Sequence, residues 1–192
     1  SYTNAALYDY CGMLMFAPLA TQKGHDSDNF TRVFRNIPDS DGFANALIGF
    51  MKKQGYRKML IYGSDQEENL AESGSLTDVL EYYADRSGIS TPDRQMYDMY
   101  SGSFQFGKVL KRWKVNYSFD VIFFGGSHTR VDQGLEFMKE VRDTGINAPV
   151  LSGMGLDNDD FRAQAGQYAK GVFVASIIDF KGPGEKLKAF TD

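Results

Sequence analysis

Four turns rich in Gly, Ser, Thr and Asp hold the residues of this 192-residue chain that are able to do chemistry. They are Pro-Leu-Ala-Thr at 18–21, Gly-Ser-Asp-Gln-Glu at 63–67, Gly-Gly-Ser-His at 125–128 and Ser-Gly-Met-Gly-Leu-Asp at 152–157. Short apolar runs precede them, such as Met13-Leu14-Met15-Phe16-Ala17 before the first and Met59-Leu60-Ile61-Tyr62 before the second. A strand that empties into such a turn presents backbone N–H groups and a hydroxyl beyond its carboxyl end. An α/β sheet grips small anionic ligands in this way. Taken singly, each turn also looks like any short strand-to-helix loop, so the signal lies in the set.

Enzyme chemistry finds less support. The stretch Gly153-Met154-Gly155-Leu156-Asp157-Asn158 has asparagine where a dinucleotide fingerprint needs its third glycine. Phosphate-loop, nucleophile-elbow and zinc-protease patterns do not occur. His25 and His128 are the only histidines, and a metal would need help from Asp26, Asp28 or Asp157. Adjacent acids at Glu67-Glu68 and among 157–160 stand at helix starts, where carboxylates satisfy the helix dipole. No nucleophile, base and oxyanion hole come together. The chain reads as a non-enzyme, with no cofactor and no metal.

The turns need elements to hold them. A helix is expected over 2–10, a buried strand over 12–17, a loop over 22–29 and a second strand over 31–37. From Ser40, Phe43, Leu47, Phe50 and Met51 follow helical spacing to Gly55, a natural left-handed stop. Strands are expected at 59–62, 94–100, 120–124, 149–151 and 171–177. Helices are expected between them at 66–86, 103–115 and 129–144. Leu76, Val79, Leu80 and Tyr83 form the inward stripe of the first, and Val109, Leu110 and Trp113 that of the second. Thr129 with Asp132 suggests a capping box for the third. A Gly-Pro-Gly break stands at 182–184. Five-residue strands alternating with helices mean parallel βαβ units, and continuous apolar strands mean both sheet faces are covered. The fold class is α/β, a doubly wound parallel sheet.

Composition narrows the partners. Net charge is −4 with no basic stripe, which argues against nucleic acid. The densest basic run, Lys108, Lys111, Arg112 and Lys114, reads as a solvated helix face. Aromatic content of 14% predicts an aromatic core or cleft. Cys11, the single cysteine, rules out an intrachain disulfide and reads as a buried thiol in the first strand. No stretch approaches the ~18–20 apolar residues of a membrane span. No signal peptide opens the chain at Ser1, so an exported form is expected to have lost its beginning.

The ordered set of segments resembles the type I periplasmic solute-binding proteins, particularly the branched-chain amino-acid (Leu/Ile/Val) receptor branch. The segment 12–21 resembles that family's strand and ligand-clasping turn, and Phe34-Arg35 through Asp41 its crossing between lobes. Gln54-Gly55-Tyr56-Arg57-Lys58, the strand 119–126 and Gly166-Gln167-Tyr168-Ala169-Lys170-Gly171-Val172 are similar to its later junctions. The resemblance implies that 1–35 is a fragment of the first lobe, 36–176 the second lobe, and 177–192 the start of the return crossing. Family members are longer on both sides, so apolar exposure is expected near residues 1–30, to be covered by a homodimer partner.

By the same resemblance, Ala20 and Thr21 hold a ligand carboxylate, while Gln66, Ser127, His128 and Met154 line the opposite wall. The family places aromatics at Gln66 and near Ser127 and His128, and an acid for the α-ammonium at Met154, so three positions depart from its pattern. Asp157 is the nearest substitute acid. The implied function is an extracytoplasmic, periplasmic or extracellular, receptor of an ABC transporter. It would bind an amino acid or related carboxylate and deliver it to a membrane permease. The rival reading is a sensory or protein-interaction module of the same fold, uncoupled from transport.

Overall fold

The computed structural model describes residues 2–18, 21, 30–64, 75–98, 100–101, 104–127 and 129–177. The expected loop 22–29, residues 66–74 of the expected helix and the break at 182–184 lie outside them.

The chain opens with α1 (Tyr2–Tyr10), followed by β1 (Met15–Phe16) and β2 (Val33–Phe34), which pair in parallel as a two-stranded sheet. This corrects the expectation of a buried strand over 12–17. Ala17 is buried, but Met13, Leu14 and Phe16 are 46, 61 and 66% exposed. An apolar run becomes a buried strand only when two layers cover it; α1 packs against β1 and β2, but the face that carries Phe16 and Phe34 stays exposed. The apolar exposure expected near residues 1–30 is thus present, with Leu7 and Tyr10 adding to it. Cys11 is also corrected. It lies exposed in the turn that Gly12, at φ 70°, closes after α1, so the thiol precedes the strand instead of sitting within it.

From Asp39 the rhythm is regular. The Asp39 carboxylate accepts the Gly42 N–H at 2.9 Å and caps α2 (Ser40–Gln54). Gly55, at φ 76°, ends the helix by donating its N–H to the Lys52 carbonyl. Then follow β3 (Met59–Ser64), α3 (Ser75–Arg86), β4 (Arg94–Tyr97), α4 (Phe106–Asn116), β5 (Val121–Gly125) and α5 (Val131–Asp143). The chain continues through β6 (Val150–Ser152), a 3₁₀ turn (Met154–Leu156), α6 (Asp159–Ala165), a second 3₁₀ turn (Gly166–Ala169) and β7 (Val172–Val174). The capping box expected at Thr129 does not form. Asp132 pairs with Arg130 at 2.8 Å, and the Thr129 hydroxyl lies 2.9 Å from Ser127 Oγ.

The five strands run parallel in the order β4-β3-β5-β6-β7. Strand periodicity divides the core in two. Met59, Ile61, Val121, Phe123 and Leu151 face α2 and α3, while Leu60, Tyr62, Ile122, Phe124 and Val150 face α4, α5 and α6. Most of the aromatic surplus goes to the second face. Tyr62 lies at its centre, with the rings of Tyr97, Phe106, Trp113 and Phe137 at 5.4 to 5.7 Å. The basic run on α4 is solvent-facing.

Asp93, just before β4, ties α4 to the sheet. Its carboxylate accepts from Trp113 Nε1 at 2.7 Å, Arg112 Nη2 at 2.6 Å and Gln95 Nε2 at 3.0 Å. Burial pushes this carboxyl up, but the Trp113 and Gln95 hydrogen bonds, the Arg112 charge and the Arg94 N–H outweigh it, leaving a depressed value. A depressed carboxylate stabilises the folded state above its unfolded value of about 4 and loses that contribution as pH falls through the folded value. Urea unfolding between pH 7 and pH 3 is expected to show a smaller acid loss in Asp93→Asn than in the parent. Identical pH slopes would remove Asp93 from the acid response.

Candidate functional site

In a parallel α/β sheet the helices run antiparallel to the strands, so helix starts and strand ends collect on one edge. The turn after β6 lies on that edge and is packed from both sides. A Cβ on Gly153 would stand 2.6 Å from Leu76 Cδ2, and one on Gly155 only 2.2 Å from the Gly126 carbonyl oxygen. The two glycines let this turn nest between the start of α3 and the turn after β5. Ser152 Oγ adds a buried 2.8 Å hydrogen bond to the Phe124 carbonyl.

Met154, between those glycines, faces a narrow pocket of about 10 Å³, no roomier than a single water needs. The other walls are Thr21, Ser40, Phe43 and Leu76. Thr21 comes from the N-terminal piece, Ser40 and Phe43 from the first turn of α2, and Leu76 from the start of α3. Ser40 fastens the N-terminal piece to the sheet domain. Its backbone N–H and its hydroxyl both donate to the Thr21 carbonyl, at 2.9 and 3.1 Å. Every described lining residue is uncharged.

Of the residues singled out from the sequence, Thr21 and Met154 meet here, although 133 positions separate them (154 − 21). Ala20, Gln66 and His128 lie outside the described residues. Ser127 is buried on the same edge, its Oγ accepting the Thr129 N–H at 3.3 Å. Asp157 follows the 3₁₀ turn and accepts from Arg162 Nη1 at 3.1 Å, away from the residues that line the pocket. Ser40, Phe43 and Leu76 are additions, since the sequence reading treated Phe43 and Leu76 as core stripe. One signal could have found them: a first-turn apolar residue of such a helix sits at the strand-end edge.

A second, wider recess of about 260 Å³, also open to solvent, lies at the end of β4 beside Tyr62, Met96, Tyr97, Asp98 and Gln105. The Tyr62 hydroxyl donates to the Phe104 carbonyl at 3.2 Å, and burial, opposed by the Arg112 charge, pushes its pKa up to about 12. It is a neutral donor at physiological pH. Among the described residues, no group of His, Cys, Asp and Glu could hold a metal ion, and no helix is long and apolar enough to cross a membrane.

This fold, a five-stranded parallel sheet flanked by helices with a short second sheet at its strand ends, is that of the type I periplasmic binding proteins. Within that class the similarity runs to the branched-chain amino-acid group. The Leu/Ile/Val-binding protein homolog 3 of Brucella melitensis is 26% identical over 177 residues, covering 91% of this chain and 45% of that protein. An ABC transporter substrate-binding protein from Desulfitobacterium hafniense superposes with a TM-score of 0.78 at 27% identity, over 98% of this chain and 52% of that one. A complex with Leu from the same bacterium gives 0.77 at 26% identity, over 98% and 51%. No family model matches the chain. The chain spans about half the length of these relatives.

Proposed function

We propose that the chain belongs to the ligand-gripping part of an extracytoplasmic ABC-transporter receptor, which closes two lobes over a small amino acid or related carboxylate. In this reading 1–35 come from the first lobe, 36–176 form the second, and 177–192 begin the return crossing. The observation that carries it is the meeting of Thr21 and Met154 in one pocket at the strand ends. Support also comes from the separate pairing of β1 with β2 and from relatives named for Leu/Ile/Val binding.

Ala20 and Thr21 hold the anionic end through main-chain N–H and hydroxyl. Gln66, Ser127, His128 and Met154 belong to the facing wall, whereas Asp157, the substitute acid, is turned to Arg162. Because ligand touches both lobes only when they are closed, it stabilises the closed form and reports occupancy to a membrane permease. No bond is made or broken. The setting is periplasmic or extracellular.

A thermal-shift screen of the full-length protein against amino acids, organic acids and aromatic metabolites tests this directly. A ligand at 100 times its Kd adds about 2.7 kcal/mol of stability. A flat screen would favour the sensory or protein-interaction reading. Thr21→Val, which keeps side-chain size and removes the hydroxyl, is expected to weaken ligand binding by roughly tenfold to a hundredfold, the worth of one charge-assisted hydrogen bond. Unchanged affinity by calorimetry would take the anionic end away from this turn.

A further inference from the structure

We infer that Ser40 is a positioning residue for the ligand: it holds Thr21, on the other side of the lobe crossing, in the orientation that grips the anionic end. The inference rests on the receptor reading above and deepens it.

Ser40 opens α2 and is 0% exposed, and Thr21 is 4% exposed. Two donors of Ser40, its backbone N–H and its hydroxyl, converge on the single carbonyl oxygen of Thr21, at 2.9 and 3.1 Å. A carbonyl has two lone pairs, and engaging it from two directions fixes its heading more tightly than one bond would. The peptide plane turns with its carbonyl, so the Cα that bears the Thr21 side chain is held as well.

Ser40 can do this because its own helix start is braced. The Asp39 carboxylate accepts the Gly42 N–H at 2.9 Å and pairs with Arg35 Nη2 at 3.4 Å. The Asp39 carbonyl accepts the Phe43 N–H at 3.1 Å. Pro38 lies so close to Gly42 that a Cβ there would stand 2.8 Å from the proline Cβ. The segment from Arg35 to Ser40 is therefore one stiff unit between β2 and the sheet domain. A contact group grips well only when a rigid neighbour fixes its geometry. Thr21, 19 positions earlier in the chain, takes its place from this brace. The bonds also run from 1–35 to 36–176, so they tie the gripping turn to the lobe that closes on the ligand.

The test is a double-mutant cycle in the full-length protein, read by calorimetric titration. The probe is leucine or, where leucine is silent, the compound giving the largest shift in the thermal screen above. Ser40→Ala removes one of the two donors and is expected to weaken binding roughly fivefold to tenfold, the worth of one hydrogen bond. Ser40→Cys, whose thiol is a weaker donor, is expected to fall between that protein and the parent, and carries the test should the alanine protein not fold. In a Thr21→Val background, Ser40→Ala is expected to cost less than about threefold, because the hydroxyl it aligned is gone. A single-variant loss below about threefold, or a loss above about threefold on top of Thr21→Val, overturns the inference and leaves the receptor reading standing. An equal loss in Asp93→Asn, a change at the opposite edge of the sheet, would trace the effect to stability at large and also overturn it. A parent that binds none of the screened compounds overturns the receptor reading itself.

Discussion

Gly155→Ala is expected to lower stability by about 3 kcal/mol, at the upper end of the usual range for overpacking, and to abolish ligand binding. The reason is local and steric. The new Cβ would sit 2.2 Å from the Gly126 carbonyl oxygen and 2.6 Å from its carbonyl carbon. These are backbone atoms, fixed by the turn that leaves β5, and no side-chain rotation relieves the contact. The turns after β5 and β6 must therefore separate, and they carry Ser127 and Met154 respectively. A control separates this effect from any general penalty for losing glycine. Gly49 lies in the middle of α2, exposed, with nothing within 4 Å of an added Cβ. Gly49→Ala is expected to stabilise by about 0.5–1 kcal/mol, because a helical alanine has less conformational freedom to lose on folding than glycine. Urea unfolding of both variants reads the difference. A Gly155→Ala protein within 0.5 kcal/mol of the parent, by roughly the scatter of neutral substitutions, would mean the two turns do not nest.

Trp113→Ala is expected to cost about 3–5 kcal/mol, the usual range for emptying a large buried aromatic. Trp113 is fully buried on α4, with its ring edge-on to Tyr62 at 5.7 Å. Its indole N–H also ends on Asp93 at 2.7 Å, so truncation removes both packing and one donor to a carboxylate that is largely shielded from water. Trp113→Phe keeps much of the volume and loses the N–H, and is expected to cost less than half as much, since Arg112 and Gln95 still serve Asp93. Near-equal losses in the two variants would show the hydrogen bond outweighing the packing. The consequence reaches the second recess through β4, because Asp93 sets the entry to the edge strand whose far end, Tyr97, borders that recess.

Much of the sheet domain can be read in the chain because its signals are short-range. The apolar runs expected as strands at 59–62 and 120–124 became β3 (Met59–Ser64) and β5 (Val121–Gly125), both buried at every residue. The spacing of Phe43, Leu47 and Met51 became the buried face of α2, with Asp39 and Gly55 at its ends. The family resemblance, drawn from the order of otherwise ordinary turns, agrees with relatives on both sequence and fold.

The misplacements share one cause. Cys11 and the run 12–17 have the local pattern of a buried strand, but burial needs a covering layer that no nearby residue specifies. Thr129 and Asp132 have capping-box spacing, but Ser127 and Arg130 engage them first. Periodicity, caps and helix stops belong to the sequence by itself, because each depends on residues within one or two turns of one another. The pocket belongs to the tertiary structure, which alone sets Thr21, Phe43, Leu76 and Met154 side by side and turns Asp157 toward Arg162. Contacts between distant segments follow from strand order, crossover hand and the close passage of Gly155 over Gly126, and none of these is written in any local stretch of chain.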